Sequence, residues 1–477
     1  MATEGTYILG HSQTLSDFSE TSSISDTRHL VEDKDDGKPR SNMPMTSFNF
    51  INSIIGSGII GIPFALRQAG FGLGIILVIG VALITDFSIF LLIEAGHLSN
   101  TDTYQDMVLV AFGRPGFYIL TVLQFVYPFI AMVSYNVIIG DTVTKFVLWC
   151  GGEGETLAHS VLGNRQFIIF LSTLFITLPL SLYKNIVKLG KWAFLSIVLI
   201  VFILISIIVK LAIFAKDIPP TPDAWQFANI NITQAIAIMA FAYMCHHNTF
   251  LIHSSLENPT HERWGFVTHF SVLFAMVMLL VLGIVGYVSF TGLTQGDLLE
   301  NYCHDDILMN VARVAFAVTI MLTYPVECFV TRDVIENAVF PSNPDPPMWR
   351  HVTITILIVF FTAVVSMATD CLGIVLELNG TIAAAPLAYI IPAVCVIRLR
   401  QEAFLSRGNI GPILVALFGI CVCVIGFIMA MVNLAKGLTC SHGQEMPYCI
   451  HNNLTSAAQS ILGNHTNYAR SHSLFPT

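Results

Sequence analysis

The sequence predicts an all-α integral membrane protein, a bundle of about eleven transmembrane helices. Three observations lead there. Of the 477 residues, 54% are hydrophobic and only 11% charged, against about 25% charged in an average soluble domain. The apolar residues gather into runs of about 20, the length that carries a helix across roughly 30 Å of hydrocarbon. The runs are continuous, whereas strands of a membrane barrel would alternate over about 10 residues. The net charge of −9 comes without any basic patch, so the lipid bilayer, and no nucleic acid, is the expected large partner.

Residues 1–45 are rich in Ser, Thr, Asp and Glu and have no apolar core, so they read as a disordered cytoplasmic tail rather than a cleavable signal peptide. The first span then acts as its own insertion signal. Residues 46–436 form the membrane domain. Its first six spans are expected at Ser47–Gln68, Gly72–Ala95, Phe117–Leu148, Gln166–Leu182, Trp192–Ala215 and Thr233–Leu256. Five more follow at Phe266–Phe290, Ile307–Arg332, Val352–Thr369, Leu372–Ile397 and Ile410–Ala435. Asp102 to Asp106 suggest a short interfacial helix between the second and third spans, and residues 437–477 form a C-terminal tail.

Lys and Arg concentrate on loops that an inner N-terminus would leave inside, among them Lys184, Lys188, Lys191, Arg398, Arg400 and Arg407. Basic residues accumulate on the cytoplasmic side, so the N-terminus is placed inside and, with an odd span count, the C-terminus outside. The sequons at Asn231, Asn453 and Asn464 then fall on outer segments as candidate glycosylation sites. Six of the ten cysteines, Cys371 among them, lie in or beside spans and read as small packing residues. Cys150, Cys303, Cys440 and Cys449 face the oxidising side, where two disulfides have three connectivities; nearness in the chain favours Cys440 with Cys449.

Two spans carry interruptions. The first contains Asn52-Ser-Ile-Ile-Gly-Ser-Gly-Ile-Ile-Gly-Ile-Pro63. Glycine costs a helix interior roughly 1 kcal/mol, and proline removes a donor, so Gly56, Gly58, Gly61 and Pro63 oppose a continuous helix. An unwound stretch survives in a membrane only when buried in protein or lining a cavity; close helix packing through small residues is the other reading. The sixth span holds Phe241-Ala-Tyr-Met-Cys-His-His-Asn248, with polar side chains at membrane depth. Spans one and six correspond if the first ten helices form two five-helix inverted repeats, and paired interruptions there mark a binding site of the transporter kind. Asp86, Glu327 and Glu377 are carboxylates that hydrocarbon tolerates only when paired or hydrated; Glu94 and Asp141, nearer span ends, are expected in water.

The stretch at Asn52, the Gln-Ala-Gly at Gln68, the Phe241 to Asn248 stretch and Leu-Thr-Tyr-Pro at Leu322 occur in an order that resembles the sodium-coupled neutral amino acid transporters, in the amino acid/auxin permease branch of the amino acid, polyamine and organocation superfamily. The resemblance runs from about Ser47 to Ala435. It implies a five-plus-five inverted repeat of the LeuT-like kind and sodium-coupled symport of a neutral amino acid by alternating access. Nothing resembles a nucleotide-binding loop, so neither an enzyme nor a primary pump is expected. Sodium is the co-transported ion, no organic cofactor is implied, and a monomer at the plasma membrane is expected, with an endolysosomal membrane as the alternative.

On this reading the substrate carboxylate meets backbone donors near Ile55, Gly56, Ser57 and Gly58, and its amine meets carbonyls from the same break and from Phe241 to Tyr243, with His246 lining the site. Asn52 lies four residues before Gly56, so its amide oxygen can join carbonyls near Ser53 and Ile55 around one ion. Thr319 and Thr323 share a face of span eight, and the family's ion-binding Asn and Thr match Asn52 and Thr323. Alternatively these threonines satisfy their own i−4 carbonyls and Asn52 bridges helices. Two rival functions stay open: proton coupling through Asp86, His246, His247 or Glu377, and an amino acid sensor with little flux.

Overall fold

The computed structural model describes residues 41–151, 161–183, 193–214, 218, 220–303, 305–340, 347–369, 371–435 and 446–449. Among these residues the regular structure is helical, with one isolated β-type pairing between Ser41 and Leu256. The first span is split into α1 (Met43–Ile54) and α2 (Ile62–Ala69), joined by a 3-10 turn at Ser57–Gly61. Then come α3 (Phe71–Ser99), α4 (Tyr104–Cys150), α5 (Arg165–Ser181) and α6 (Ala193–Phe214). The sixth span is split into α7 (Ile232–Ala242) and α8 (His246–Ser255). The rest are α9 (His261–Phe290), α10 (Ile307–Val339), α11 (Met348–Ala368), α12 (Leu372–Leu399) and α13 (Ile410–Ala435). Among the described residues nine segments are long and apolar enough to cross a membrane, and the bent pair α1–α2 makes ten. The shorter apolar α5 occupies the place of the predicted fourth span.

Local chemistry sets the ends. Gly70 stands at φ 88° between α2 and α3, a left-handed backbone that suits glycine, and Asn100 closes α3 at φ 53°. Side chains of Thr103, Thr260 and Asp306 cap the N-termini of α4, α9 and α10 by accepting from Asp106, Arg263 and Met309 amides. A short helical stretch does start near the expected place, as the opening turns of α4, and the helix kinks at Gly113 (φ 68°). Pro128 and Pro325 lie inside α4 and α10 without ending them.

Corresponding members of the two halves pack on each other: α4 against α10 and α5 against α11. α1 packs mainly on α9, α6 and α8, and α2 packs on α7 and α9. The broken spans therefore sit in the middle of the bundle, and the α7–α8 segment is the most deeply buried of the candidate spans.

Three expectations are corrected. The disulfide joins Cys303 to Cys449, 146 residues apart, not Cys440 to Cys449. Nearness in the chain misled because loop closure grows costly only slowly with length, and the loop before α10 lies beside residue 449; Cys440 lies outside the described residues. Cys371, read as a packing residue, is disulfide-bonded as well. Asp141, expected in water, is buried and paired with Arg165, whereas Glu94 keeps its exposure to solvent and accepts two hydrogen bonds of 2.7 and 2.8 Å from Arg400.

Candidate functional site

The first break begins where Ile55 (φ −85°, ψ 80°) and Gly56 (φ −107°, ψ −145°) leave the helix, and the two pieces meet at 47°. Both readings of the glycines hold, at different positions. Gly56 lies at the unwinding, where an added Cβ would stand 3.2 Å from the Tyr135 hydroxyl. Gly58 is a packing glycine: its Cβ would lie 2.6 Å from the Ala242 Cα on α7. Gly61 likewise yields to Leu376 at 2.5 Å, and Pro63 falls in the first turn of α2, where its missing donor costs nothing. Ser134 donates to the Ala131 carbonyl at 2.7 Å, which leaves its oxygen to accept the Ser57 hydroxyl at 2.9 Å.

The second break spans Tyr243 to Cys245, just before the polar residues, which open α8. No glycine is needed, because the Tyr243 and Met244 amides donate to the Met239 and Phe241 carbonyls and close α7 tightly. The Tyr243 hydroxyl donates to the Val78 carbonyl at 3.2 Å, anchoring the break on α3. His246 is fully buried, and neither of its ring nitrogens has a hydrogen-bond partner. His247 Nε2 lies 2.9 Å from Asn248 Nδ2 and 3.4 Å from Glu327 Oε2, while the Tyr127 ring covers it at 4.8 Å. Asn248 also donates to the Ser53 hydroxyl on α1 at 3.0 Å.

The expected ion ligands are placed as follows. The Asn52 amide oxygen is buried and has no hydrogen-bond partner. Thr319 and Thr323 donate to the Ala315 and Thr319 carbonyls at 3.0 and 2.9 Å, the back-bonded state a helix offers them by default. Asp86 accepts from, or is paired with, the exposed His269 ring at 2.9 Å, joining α3 to α9 on the flank of the bundle. Gln234 donates to the fully buried Glu377 at 2.6 Å and joins α7 to α12. The Asp86 carboxylate thus ties one pair of helices, while Glu377 on α12 also lies within hydrogen-bonding reach of Asn433 on α13. The Asn231 amide nitrogen, the atom a glycan would need, donates to Gln68 at 2.9 Å; Asn453 and Asn464 lie outside the described residues.

Above the breaks, the loop between α9 and α10 carries a buried ionic cluster. The Lys145 ammonium donates to the Glu300 carbonyl at 2.9 Å, and Arg313 donates to the Leu299 carbonyl at 3.1 Å and to the Asn310 side chain at 2.6 Å. Burial, then the nearby Glu300 charge, pushes the Asp297 carboxyl up to about 7. Sequence reasoning did not assign Ser134, Tyr127, Tyr135 or the partner of Glu327, because these meet the breaks through contacts between distant helices.

The family described as "Transmembrane amino acid transporter protein" matches residues 39–435. A zebrafish (Danio rerio) protein named "Putative sodium-coupled neutral amino acid transporter 11" is 46% identical over 90% of this chain and 94% of its own length. The human (Homo sapiens) protein of that name is 46% identical over 83% and 96%. The Saccharomyces cerevisiae "Vacuolar amino acid transporter 2" is 28% identical over 85% and 86%. Among solved structures, MhsT in complex with L-phenylalanine has a TM-score of 0.58 at 11% identity, covering 83% of this chain and all of that one. A manganese transporter variant of Eremococcus coleocola reaches 0.55 at 12% identity, covering 88% and 92%. The fold is thus that of the LeuT-like transporters, and with a multi-pass membrane bundle built round two broken spans, the chain belongs to the transmembrane amino acid transporter family.

Proposed function

We propose that the chain moves a neutral amino acid inward together with sodium by alternating access, with the substrate held between the two breaks. The observation that carries this reading is the meeting of the breaks: Gly58 of the first lies on Ala242 at the end of α7, so backbone groups freed by both converge on one place. The relatives' names supply the sodium and the neutral substrate. The carboxylate is held by the amides of Ile55, Gly56, Ser57 and Gly58, and the amine by carbonyls from Phe241 to Tyr243, beside His246. Sodium takes the unpartnered Asn52 oxygen, a carbonyl near Ile55, and the hydroxyl oxygens of Thr319 and Thr323, whose lone pairs stay open because each hydroxyl spends its hydrogen on its own helix.

The test is uptake by purified protein in liposomes with sodium and proton gradients imposed separately. Asn52→Ala and Thr323→Ala are expected to raise the sodium concentration for half-maximal uptake by about 10-fold, the loss of one good ligand. Amino acid affinity at saturating sodium should change far less. Sodium dependence unchanged in both variants, or uptake driven only by protons, overturns the sodium site. We place the protein at the plasma membrane with its N-terminus inside; surface biotinylation that finds it only on internal membranes would favour the location in the yeast relative's name.

A further inference from the structure

At one end of the bundle α3 and α12 finish and α4 and α13 begin, and the bond from Arg400 to Glu94 holds the ends of α3 and α12 together. Charged side chains gather at this end, among them Asp102, Arg114, Arg398, Glu402 and Arg407. Charge is costly in hydrocarbon, so this is the level at which the chain meets the lipid headgroups. Between the opening turns of α4 and the end of α12 lies a groove of about 830 Å³. Val110 and Phe112 of α4 face Val394 and Ile397 of α12 across it, and Arg398 and Phe404 line it as well. The Tyr104 hydroxyl, donating to the Leu387 carbonyl at 2.7 Å, ties the two helices to each other.

Phe112, Phe404 and the neighbouring Leu405 are 43%, 63% and 80% exposed. Large apolar side chains so exposed mark a contact with something apolar, and beside the headgroups that is an acyl chain. The charges around the groove are engaged unequally. Arg400 spends its guanidinium on Glu94 and on the Gly408 carbonyl, the latter at 2.7 Å. The nearby acids are answered within their own turns: Glu402 accepts the Ser406 hydroxyl at 2.7 Å, and Asp106 accepts the Thr103 hydroxyl at 2.7 Å. Arg398 and Arg407 are exposed and have no ion pair among the described residues. The groove therefore joins apolar walls to an arginine without a counter-ion, which is the complement of a phosphate carried on acyl chains.

We propose that this groove holds one anionic phospholipid of the bilayer, its phosphate on Arg398 and an acyl chain along Val110, Phe112, Val394 and Ile397. A guanidinium takes a phosphate through two parallel N–H bonds, which fixes the headgroup as well as attracting it. A zwitterionic lipid has the same phosphate but brings its own ammonium, which competes with Arg398 for it. Arg407 adds to the same positive field. This site is separate from the breaks, and lipid binding is read without any transport.

The experiment is native mass spectrometry of the full chain in detergent, with equal amounts of palmitoyl-oleoyl phosphatidylglycerol and phosphatidylcholine added. Wild type should retain phosphatidylglycerol over phosphatidylcholine by at least about 5-fold, the worth of one arginine at an anionic surface. Arg398→Gln, at an exposed position that folding does not depend on, should bring the two lipids to parity. Val394→Trp, which fills the groove and keeps the charge, should lower the binding of both. Arg114→Gln removes an exposed cation from the same end but from outside the groove, and should keep the preference. Glycerol phosphate, a headgroup without chains, should not displace the lipid. Equal binding of the two lipids by wild type, or a preference unchanged in Arg398→Gln, overturns the site. A loss in Arg114→Gln as large as that in Arg398→Gln overturns it in favour of a diffuse field, and displacement by glycerol phosphate overturns it in favour of a free anion.

Discussion

The α2 and α7 halves of the two broken spans are joined differently from the α1 and α8 halves. Between α2 and α7, backbone meets backbone: Gly58 sits on Ala242, and the Asn229 amide donates to the Ala69 carbonyl at 2.7 Å. The Arg67 guanidinium adds a bond to the Thr294 carbonyl at 2.9 Å. Between α1 and α8, at the level of the breaks, the tie is one side-chain bond from Asn248 to Ser53. Lower down, the Ser41 amide donates to the Ser255 carbonyl at 2.7 Å and the Glu257 amide to the Ser41 carbonyl at 3.0 Å. A contact that depends on a missing side chain tolerates no substitution, whereas a bond between side-chain tips can be broken and remade at about 1 kcal/mol. The α2–α7 closure thus adds the shape contact of Gly58 on Ala242 to its polar bonds, whereas the α1–α8 closure rests on a few polar bonds.

The largest effect should come from Gly58. In Gly58→Val the new Cβ meets the Ala242 backbone, which cannot yield, so uptake is expected to fall by about 100-fold or more while surface expression persists. Gly80→Ala on α3, whose Cβ would meet nothing within 4 Å, serves as the control and should leave uptake unchanged. Next in size is Asn248→Ala, which removes the tie to Ser53 and the bond to His247. Each bond is worth about 1 kcal/mol, so uptake or substrate affinity should shift by roughly 30-fold, with a lower melting temperature of the purified protein. An Asn248 variant as damaged as Gly58→Val would break the distinction between the two closures. The smallest effect is that of Asn231→Gln. Because Gln68 holds the acceptor nitrogen of the sequon, enzymatic deglycosylation should shift wild type and variant equally on a gel. A shift lost only in Asn231→Gln would mean that α2 and α7 part often enough for Asn231 to be modified.

The broken spans were legible because their causes are local: glycines and polar residues announce themselves wherever they stand. The packing of α4 on α10 was not read from any residue. What could not be read was register between distant helices. Glu327 was visible as a costly carboxylate, but its position opposite His247 depends on how α8 and α10 slide past each other. The second break shows the same limit from the other side, for it falls on Tyr243 to Cys245 rather than on the polar residues beside them. Its place is set by the Tyr243 bond to the Val78 carbonyl, a contact no window of sequence contains. The threonines of α10 were equally ambiguous by spacing alone, since a back-bonded hydroxyl and an ion ligand occupy the same face.

The bond between Cys303 and Cys449 closes the chain into a covalent ring of about 146 residues that contains α10, α11, α12 and α13. In the chain-entropy view, a ring of that size strips the unfolded state of part of its freedom before any helix packs. It also fixes an order of assembly, because the ring cannot close until α13 has been threaded through the bilayer and residue 449 has reached the side where residue 303 waits. A protease cut anywhere inside the ring leaves one molecule until the disulfide is reduced, so such a nick is silent on a non-reducing gel and splits the chain in two on a reducing one.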